Sequence, residues 1–216
     1  MYNNILFDLD GTLTDPFEGV TNSFAYALSK FGIEITDRSE LSRVIGPPLM
    51  DSFMSFYDLT HEDAVEATKY YREYFEKYGL MQNKLYKGIP ELLNKLKENG
   101  KKLYVATSKP IEFASLVLEG FDILKYFDFV SANNFADERH TKHQVIEYIF
   151  KNFPDVSPQD CLMVGDRKYD VEGARPFGIK TVGVKFGYAE EGEFEVAGAD
   201  FIVPTVEELE KLILSL

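Results

Sequence analysis

Two acidic residues near the start of the chain are spaced for joint chemistry. The segment FDLDGTLTD places Asp8 and Asp10 two positions apart, directly after the apolar run 5–7. On an extended backbone, residues i and i+2 point the same way, so both carboxyl groups would face one small volume. Carboxylates that close repel each other unless one takes up a proton or a cation holds them together. The pair therefore indicates acid–base chemistry or metal binding.

Three other interpretations of this segment differ in how well its residues fit them. A plain turn fits, because Asp hydrogen-bonds its own backbone and tolerates turn geometry, and these residues alone leave that possibility open. A calcium loop of the EF-hand type fits badly, because it needs Gly at position six and Glu at position twelve. Counted from Asp8, Gly11 stands at position four and Gly19 at position twelve. A P-loop is excluded, because no GxxxxGK[ST] follows.

Composition narrows the class of protein and its partners. The 216 residues are 45% apolar, which suffices for one large domain or for a core domain with a smaller insert. The net charge of −13 argues against a nucleic-acid partner, which would require phosphate neutralisation. An anionic substrate must then be drawn in by a local cation, against the field of the whole protein.

The chain shows no sign of export or membrane insertion. Its N-terminus lacks a signal-peptide pattern, and no apolar run approaches the ~20 residues of a membrane span. The single cysteine, Cys161, allows no internal disulfide and lies in the apolar run CLMV, which predicts a buried thiol. We therefore expect a cytoplasmic protein with no membrane partner.

Short apolar runs alternate with helical patterns along most of the chain. The helical pattern is clear after Gly88, where Leu92, Leu93 and Leu96 share one face. Alternation of this kind predicts an α/β fold with a doubly wound parallel sheet, whose ligands bind outside the carboxyl ends of the strands. The runs predicted to be buried strands are residues 5–7, 103–107, 129–132, 161–164 and 181–184.

One long interruption predicts an inserted domain. The distance from Asp8 to the second predicted strand far exceeds the ~30 residues of a strand–helix–strand unit. The extra residues read as helical, and the first of these helices is expected to begin with Asp15 as N-cap and Pro16 at its first position. Such an insert would overhang the carboxyl edge of the sheet. The predicted domains are a core of residues 1–16 and 85–216 and a helical cap of residues 17–84.

Two later segments carry weaker signals. The residues 107–109, Thr-Ser-Lys, end the second predicted strand, and taken alone they are best explained as a turn before a helix that starts with proline. Thr141 and Gln144 have the spacing of a capping box, which puts Lys142 at the first helical position. A lysine there makes sense beside a bound anion, although a solvated lysine is an equal possibility.

A second acidic turn repeats the pattern of the first. In CLMVGDRKYD an apolar strand runs into Gly165 and Asp166, and Asp170 follows four residues later. Two acidic turns that converge on one sheet edge would demand a divalent cation. Carboxylate and backbone oxygens suit Mg²⁺, which keeps several waters and favours phosphate.

Taken together, these segments resemble the four motifs of the haloacid dehalogenase superfamily. The insert resembles the cap of its C1-capped branch, and residues 45–49, IGPPL, are similar to the cap loop of phosphoglycolate phosphatase-like members. The resemblance covers essentially the whole chain. The matching segments are Asp8-x-Asp10-Gly11-Thr12, the strand that ends in Thr107, Lys142, and Gly165-Asp166-x-x-x-Asp170.

The resemblance implies a role for each motif residue. Asp8 would be the nucleophile that forms an aspartyl-phosphate, and Asp10 would protonate the leaving group and then deprotonate water. Thr107 and Lys142 would bind the phosphoryl oxygens. Substrate contacts are also implied for Gly11, Thr12, Ser108, Pro47, Pro48 and Leu49.

The resemblance further implies a bound Mg²⁺. Its ligands would be Asp8, the backbone carbonyl of Asp10, and Asp166, while Asp170 would ligate it directly, orient a metal-bound water or orient Lys142. The charges of Asp8, Asp166 and Asp170 would then balance those of Mg²⁺ and Lys142 if Asp10 is protonated.

The implied function is a Mg²⁺-dependent phosphomonoesterase, monomeric or homodimeric, acting on a small phosphorylated metabolite such as phosphoglycolate or a nucleoside monophosphate. A sugar-phosphate mutase similar to β-phosphoglucomutase is an alternative, weakened because Leu49 stands where those enzymes carry a basic residue. A pyrophosphatase is another alternative. A catalytically silent binding module is remote, because none of the motif acids is missing. Asp10 argues against carbon–chlorine hydrolysis, since the dehalogenases of the superfamily lack it.

Overall fold

The computed structural model describes residues 2–216, in which strands and helices alternate. The strands are β1 (Asn4–Phe7), β2 (Thr14–Asp15), β3 (Lys84–Leu85), β4 (Lys102–Pro110), β5 (Phe129–Asn133), β6 (Cys161–Gly165), β7 (Lys180–Val184) and β8 (Phe201–Val203). The helices are α1 (Phe17–Ser29), α2 (Leu49–Tyr57), α3 (His61–Lys77), α4 (Ile89–Glu98), α5 (Ile111–Gly120), α6 (Lys142–Asn152), α7 (Lys168–Ala174), α8 (Glu193–Ala197) and α9 (Val206–Ser215). Across the described residues, no helix has both the length and the apolar composition that a membrane crossing requires.

The chain divides into two compact units. The first comprises the chain through Asp15 together with Leu85–Leu216, and the second is Pro16–Lys84. We treat the first unit as the core and the second as the candidate cap. The assignment of a cap function to the second unit remains a prediction.

The core is built on one parallel sheet. In the described chain its strands lie in the order β5-β4-β1-β6-β7-β8, and every neighbouring pair is parallel. This confirms the α/β fold predicted from the sequence, with one edge strand, β8, that the sequence analysis did not predict. Phe7 stands opposite Val105 on β4 and Val164 on β6, so the carboxyl ends of the three parallel strands point to the same edge of the sheet. The residues after these strands therefore meet at one edge of the sheet.

The central strand β1 is buried on both faces, as its continuous apolar run predicted. All four of its residues are buried. On one face, Leu6 and Met163 join a cluster with the inward side of α6, which supplies Val145, Ile146 and Ile149. Cys161 belongs to the same cluster, so the predicted buried thiol is confirmed, and burial raises its pKa to about 12.

The second unit, Pro16–Lys84, contains the helices α1, α2 and α3. Its interior includes Phe24 of α1, whose ring lies 4.4 Å from that of Phe53 and 5.5 Å from that of Tyr71. Contacts of this kind between α1, α2 and α3 bury the apolar stripes that identified the helices in the sequence.

The predicted start of α1 was wrong in one respect. Pro16, not Asp15, is the N-cap of this helix, and no side chain caps it. Asp15 instead ends β2, and its carboxylate accepts a hydrogen bond from the hydroxyl group of Tyr188. Local spacing predicted that Asp15 caps the helix, but its side chain instead accepts a hydrogen bond from Tyr188, a distant residue of the core.

Candidate active site

Three buried carboxylates meet at the carboxyl edge of the sheet. Asp8, Asp166 and Asp170 each offer one oxygen, and these atoms all lie within 4.8 Å of one another. The three residues are 6%, 0% and 2% exposed, respectively. Such close packing of buried acids is costly unless cations compensate their charge.

The local backbone explains how the three acids converge. The N–H group of Asp8 donates to the carbonyl of Val164, which extends the pairing of β1 with β6 by one residue. Asp166 directly follows the last residue of β6. Asp170 lies in the first turn of α7 and accepts a hydrogen bond from the N–H group of Arg167 at 3.1 Å. Each acid is therefore held by a strand end or a helix start.

Lys142 lies among these acids. Its Nζ forms ion pairs with Oδ1 of Asp8 at 2.5 Å and with Oδ1 of Asp170 at 2.8 Å, and it donates to the carbonyl of Ala106 at 2.9 Å. The side chain is 5% exposed, so the alternative of a solvated lysine is wrong. The predicted capping box of Thr141 and Gln144 is confirmed, and it starts α6 at this lysine.

The electrostatics of the site favour the binding of a further cation. Burial raises the pKa of Asp166 well above its usual range, and the charges of Asp8 and Asp170 raise it further. Burial also raises the pKa of Asp170 to about 6, although Lys142 acts in the opposite direction. Burial alone would lower the pKa of Lys142, but Asp170 and Asp8 outweigh it and raise the value to about 12. A bound cation would stabilise the ionised form of Asp166 in particular.

The donor set fits a divalent cation of the magnesium type. All three clustered side chains are carboxylates, the donors that hard cations prefer. The backbone leaves no room for bulk beside them, because a side chain at Gly11 would overlap the carboxylate of Asp166. Gly11 also has a φ of +85°, a conformation that glycine adopts readily.

Asp10 is held by a lysine whose role the sequence analysis missed. The Nζ of Lys109 donates to Oδ2 of Asp10 at 2.6 Å, and the two side chains are 6% and 19% exposed. Oδ1 of Asp10 is buried and has no hydrogen-bond partner among the described residues. The segment 107–109, interpreted from sequence as a turn, belongs to β4, which continues to Pro110. Lys109 therefore stands at the site as a second buried cation.

The remaining core residues of the prediction lie around this cluster. The hydroxyl oxygen of Thr107 accepts a hydrogen bond from the N–H group of Lys109 at 3.2 Å. The hydroxyl of Thr12 donates to Oδ1 of Asp166 at 3.5 Å. Ser108 is half-buried beside Thr107 in β4. Their predicted contacts with substrate remain predictions.

The predicted cap residues belong to the second unit. Pro48 is the N-cap of α2, and Leu49 is its first residue. Gly46, which precedes Pro47, has a φ of +105°, so the loop 45–49 turns at a position suited to glycine. The assignment of Pro47, Pro48 and Leu49 to substrate binding remains a prediction.

Comparison with known proteins defines the class to which this fold and site belong. Residues 5–184 match the model of the haloacid dehalogenase-like hydrolase family. The chain therefore belongs to that family, as the motifs predicted.

Individual relatives agree with this membership. A 5'-nucleotidase of Pseudomonas aeruginosa is 42% identical over 89% of this chain and 86% of the relative. A solved structure of a predicted phosphatase from Clostridium acetobutylicum is 44% identical, covers 100% of both chains and superposes with a TM-score of 0.97. The tyrosine-protein kinase PtkA of Mycobacterium tuberculosis is 34% identical over 93% of this chain, which spans 65% of that relative. The family and the first two of these relatives support a phosphatase enzyme.

Proposed function

We propose that this protein is a Mg²⁺-dependent phosphomonoesterase that hydrolyses a small phosphorylated metabolite through an aspartyl-phosphate at Asp8. The observation that carries the proposal is the buried cluster of Asp8, Asp166 and Asp170, two of which, Asp8 and Asp170, form ion pairs with Lys142. A nucleophilic carboxylate, further acids for a cation and a fixed ammonium group are the parts that phosphoryl transfer requires.

In the first half-reaction, the carboxylate of Asp8 attacks phosphorus while the bond from phosphorus to the leaving oxygen breaks. The leaving oxygen takes a proton from Asp10. Lys142 and the hydroxyl of Thr107 stabilise the charge on the phosphoryl oxygens, since Thr107 accepts from the backbone and keeps its own hydrogen to donate. In the second half-reaction, Asp10 accepts a proton from the water that attacks the aspartyl-phosphate.

Lys109 changes the charge balance inferred from the sequence. The site holds the four acids Asp8, Asp10, Asp166 and Asp170 and the two lysines Lys109 and Lys142. One divalent cation would therefore balance the site with Asp10 ionised. We infer that Lys109 holds the carboxyl group of Asp10 in place for proton transfer. In the acid step, Asp10 gives its proton to the leaving oxygen, and Lys109 stabilises the carboxylate that remains.

The cation would be held by Asp8 and Asp166, with Asp170 beside them and the backbone carbonyl of Asp10 as a further ligand. When bound, it would neutralise the acids and lower the charge that a phosphate dianion meets. Removal of divalent ions by a chelator should abolish activity, and added Mg²⁺ should restore it.

The proposal is tested by phosphate release from a panel of phosphorylated metabolites with Mg²⁺. The panel contains nucleoside 5'-monophosphates, which the 5'-nucleotidase relative suggests, together with phosphoglycolate, hexose phosphates and pyrophosphate. Asp8→Asn is the inactive control, and Asp155→Asn is a matched control at an exposed acid.

The panel also separates the alternatives. Isomerised hexose phosphate without free phosphate would indicate a mutase, and selective release from pyrophosphate would indicate a pyrophosphatase. Binding without turnover of any compound would indicate a silent binding module and would overturn the proposal.

We further propose that the loop 45–49 of the second unit selects the leaving group. Its support is the resemblance of IGPPL to a cap loop and its place within the helical insert. Specificity in enzymes is commonly carried by such loops, because their sequences vary without disturbing the core.

A further inference from the structure

The loop after β7 contacts the acidic cluster through its backbone. The N–H group of Tyr188 donates to Oδ2 of Asp166 at 2.8 Å. Asp166 is fully buried, so this neutral donor fixes one oxygen of the carboxylate without adding a charge. No motif identified in the sequence includes Tyr188.

The side chain of the same tyrosine is anchored elsewhere in the core. Its hydroxyl group donates to Oδ1 of Asp15, the last residue of β2. Asp15 is also the last residue of the first unit before the chain enters the second. Burial and the hydrogen bond to Asp15 raise the pKa of Tyr188 far above its usual value, so the phenol remains a donor at neutral pH.

The residues beside Tyr188 have little freedom. A side chain at Gly187 would overlap both the carbonyl of Gly11 and the side chain of Asp166. The ring of Phe186 packs edge to face against Tyr86, with the centroids 5.1 Å apart. We call residues 186–188 the strap, because Gly187 and the N–H group of Tyr188 lie against Asp166 while the hydroxyl group of Tyr188 is bonded to Asp15.

We propose that Tyr188 is a positioning residue for the divalent-cation site, because its bond to Asp15 fastens the strap whose N–H group orients Asp166. This inference rests on the proposed metal dependence, since its effect is exerted through a metal ligand. Partners that orient metal ligands typically change metal affinity by roughly 10- to 100-fold when they are removed. Tyr188→Phe keeps the backbone donor and loses the hydroxyl group that bonds to Asp15 and contacts Tyr86, so we expect a loss near the tenfold end of that range.

The test is calorimetric titration of Mn²⁺ and Mg²⁺ into the full chain, with no substrate present. Tyr188→Phe and Asp15→Ala should each weaken binding by roughly tenfold. The double variant should bind the cations no more weakly than Tyr188→Phe alone, because both substitutions remove the same hydrogen bond. Asp15→Asn, which keeps an acceptor oxygen, should retain most of the affinity. Tyr148→Phe, a half-buried tyrosine on α6, is the matched control and should bind as the wild type does.

Different results would contradict different claims. Wild-type affinity in both Tyr188→Phe and Asp15→Ala overturns the strap and leaves the proposed metal dependence standing. Multiplicative losses in the double variant, or a loss in Asp15→Asn equal to that in Asp15→Ala, also overturn the role of this hydrogen bond. If the wild-type protein binds neither cation, the metal dependence fails and the strap fails with it. Asp15→Ala decides the question if Tyr188→Phe does not fold, as judged by circular dichroism.

Discussion

Replacing Lys109 by methionine should separate the two half-reactions of the proposed mechanism. Methionine has a similar length but cannot donate to Oδ2 of Asp10, which now accepts from Nζ at 2.6 Å. A hydrogen bond to a charged group contributes about 1.5–3 kcal/mol net. At ~1.4 kcal/mol per factor of ten, its loss at the acid–base residue should slow the step that uses Asp10 by roughly 10- to 100-fold.

The leaving group decides which step shows this loss. An alkyl alcohol needs a proton from Asp10, so aspartyl-phosphate formation from an alkyl phosphate should fall by the full factor. An activated aryl alcohol leaves without one, so the same step from an aryl phosphate should change little. Hydrolysis of the intermediate still needs Asp10 as a base. Rapid-quench measurement of Lys109→Met should therefore show a burst of aryl alcohol followed by slow turnover.

Two comparisons make this experiment decisive. Asp10→Asn combined with Lys109→Met should be no slower than Asp10→Asn alone, because Lys109 acts through Asp10. Lys180→Met, at an exposed lysine that pairs with Asp200, is the matched control. Equal losses with alkyl and aryl phosphates would refute the reasoning. They would mean that Lys109 acts on the phosphoryl group or on the fold and not on Asp10.

Three further outcomes are expected. Asp8→Asn should reduce phosphate release to background with an unchanged circular dichroism spectrum; activity within about tenfold of wild type would exclude the covalent step. Leu49→Ala should alter the ranking of metabolite substrates more than it alters hydrolysis of a small aryl phosphate, and parallel changes would make the loop merely structural. Burial alone would raise the pKa of Asp128, but hydrogen bonds from Lys97, the N–H group of Leu103 and Lys102 lower it below 3.8. Asp128 therefore stabilises the protein fully at a pH above its pKa in the unfolded chain. This stabilisation is lost as the pH falls through its lower pKa in the folded protein. As the pH falls below about 4, the free energy of unfolding measured in urea should therefore decrease less in Asp128→Asn than in the wild type. Equal decreases in the two proteins would contradict this.

The sheet and much of the acidic cluster could be predicted because their signals are local. Each central strand is a continuous apolar run, and an acid follows β1 and β6 where the strand ends. Parallel pairing then brings Asp8 and Asp166 to one edge without further information. The start of α6 at Lys142 was likewise set by a local capping box.

The errors and omissions come from contacts between distant segments. Asp15 has the spacing of a helix cap, but its carboxylate accepts a hydrogen bond from Tyr188, which lies far along the chain. Lys109 follows Thr-Ser and precedes proline, so turn chemistry explained it locally. Its ion pair with Asp10 exists only because β4 and β1 are neighbours. The backbone donor of Tyr188 has no signature in residue type at all, since any residue except proline carries it.

The most direct test of the central claim is chemical trapping of the phosphorylated enzyme. The protein is mixed with Mg²⁺ and its best metabolite substrate, quenched during turnover and treated with borohydride, which reduces an aspartyl-phosphate to homoserine. Mass spectrometry of the digested protein should find homoserine at position 8 in the wild type, and none in protein quenched without substrate. Full turnover with Asp8 unmodified at every quench time, or homoserine at another aspartate, would contradict phosphoryl transfer to Asp8.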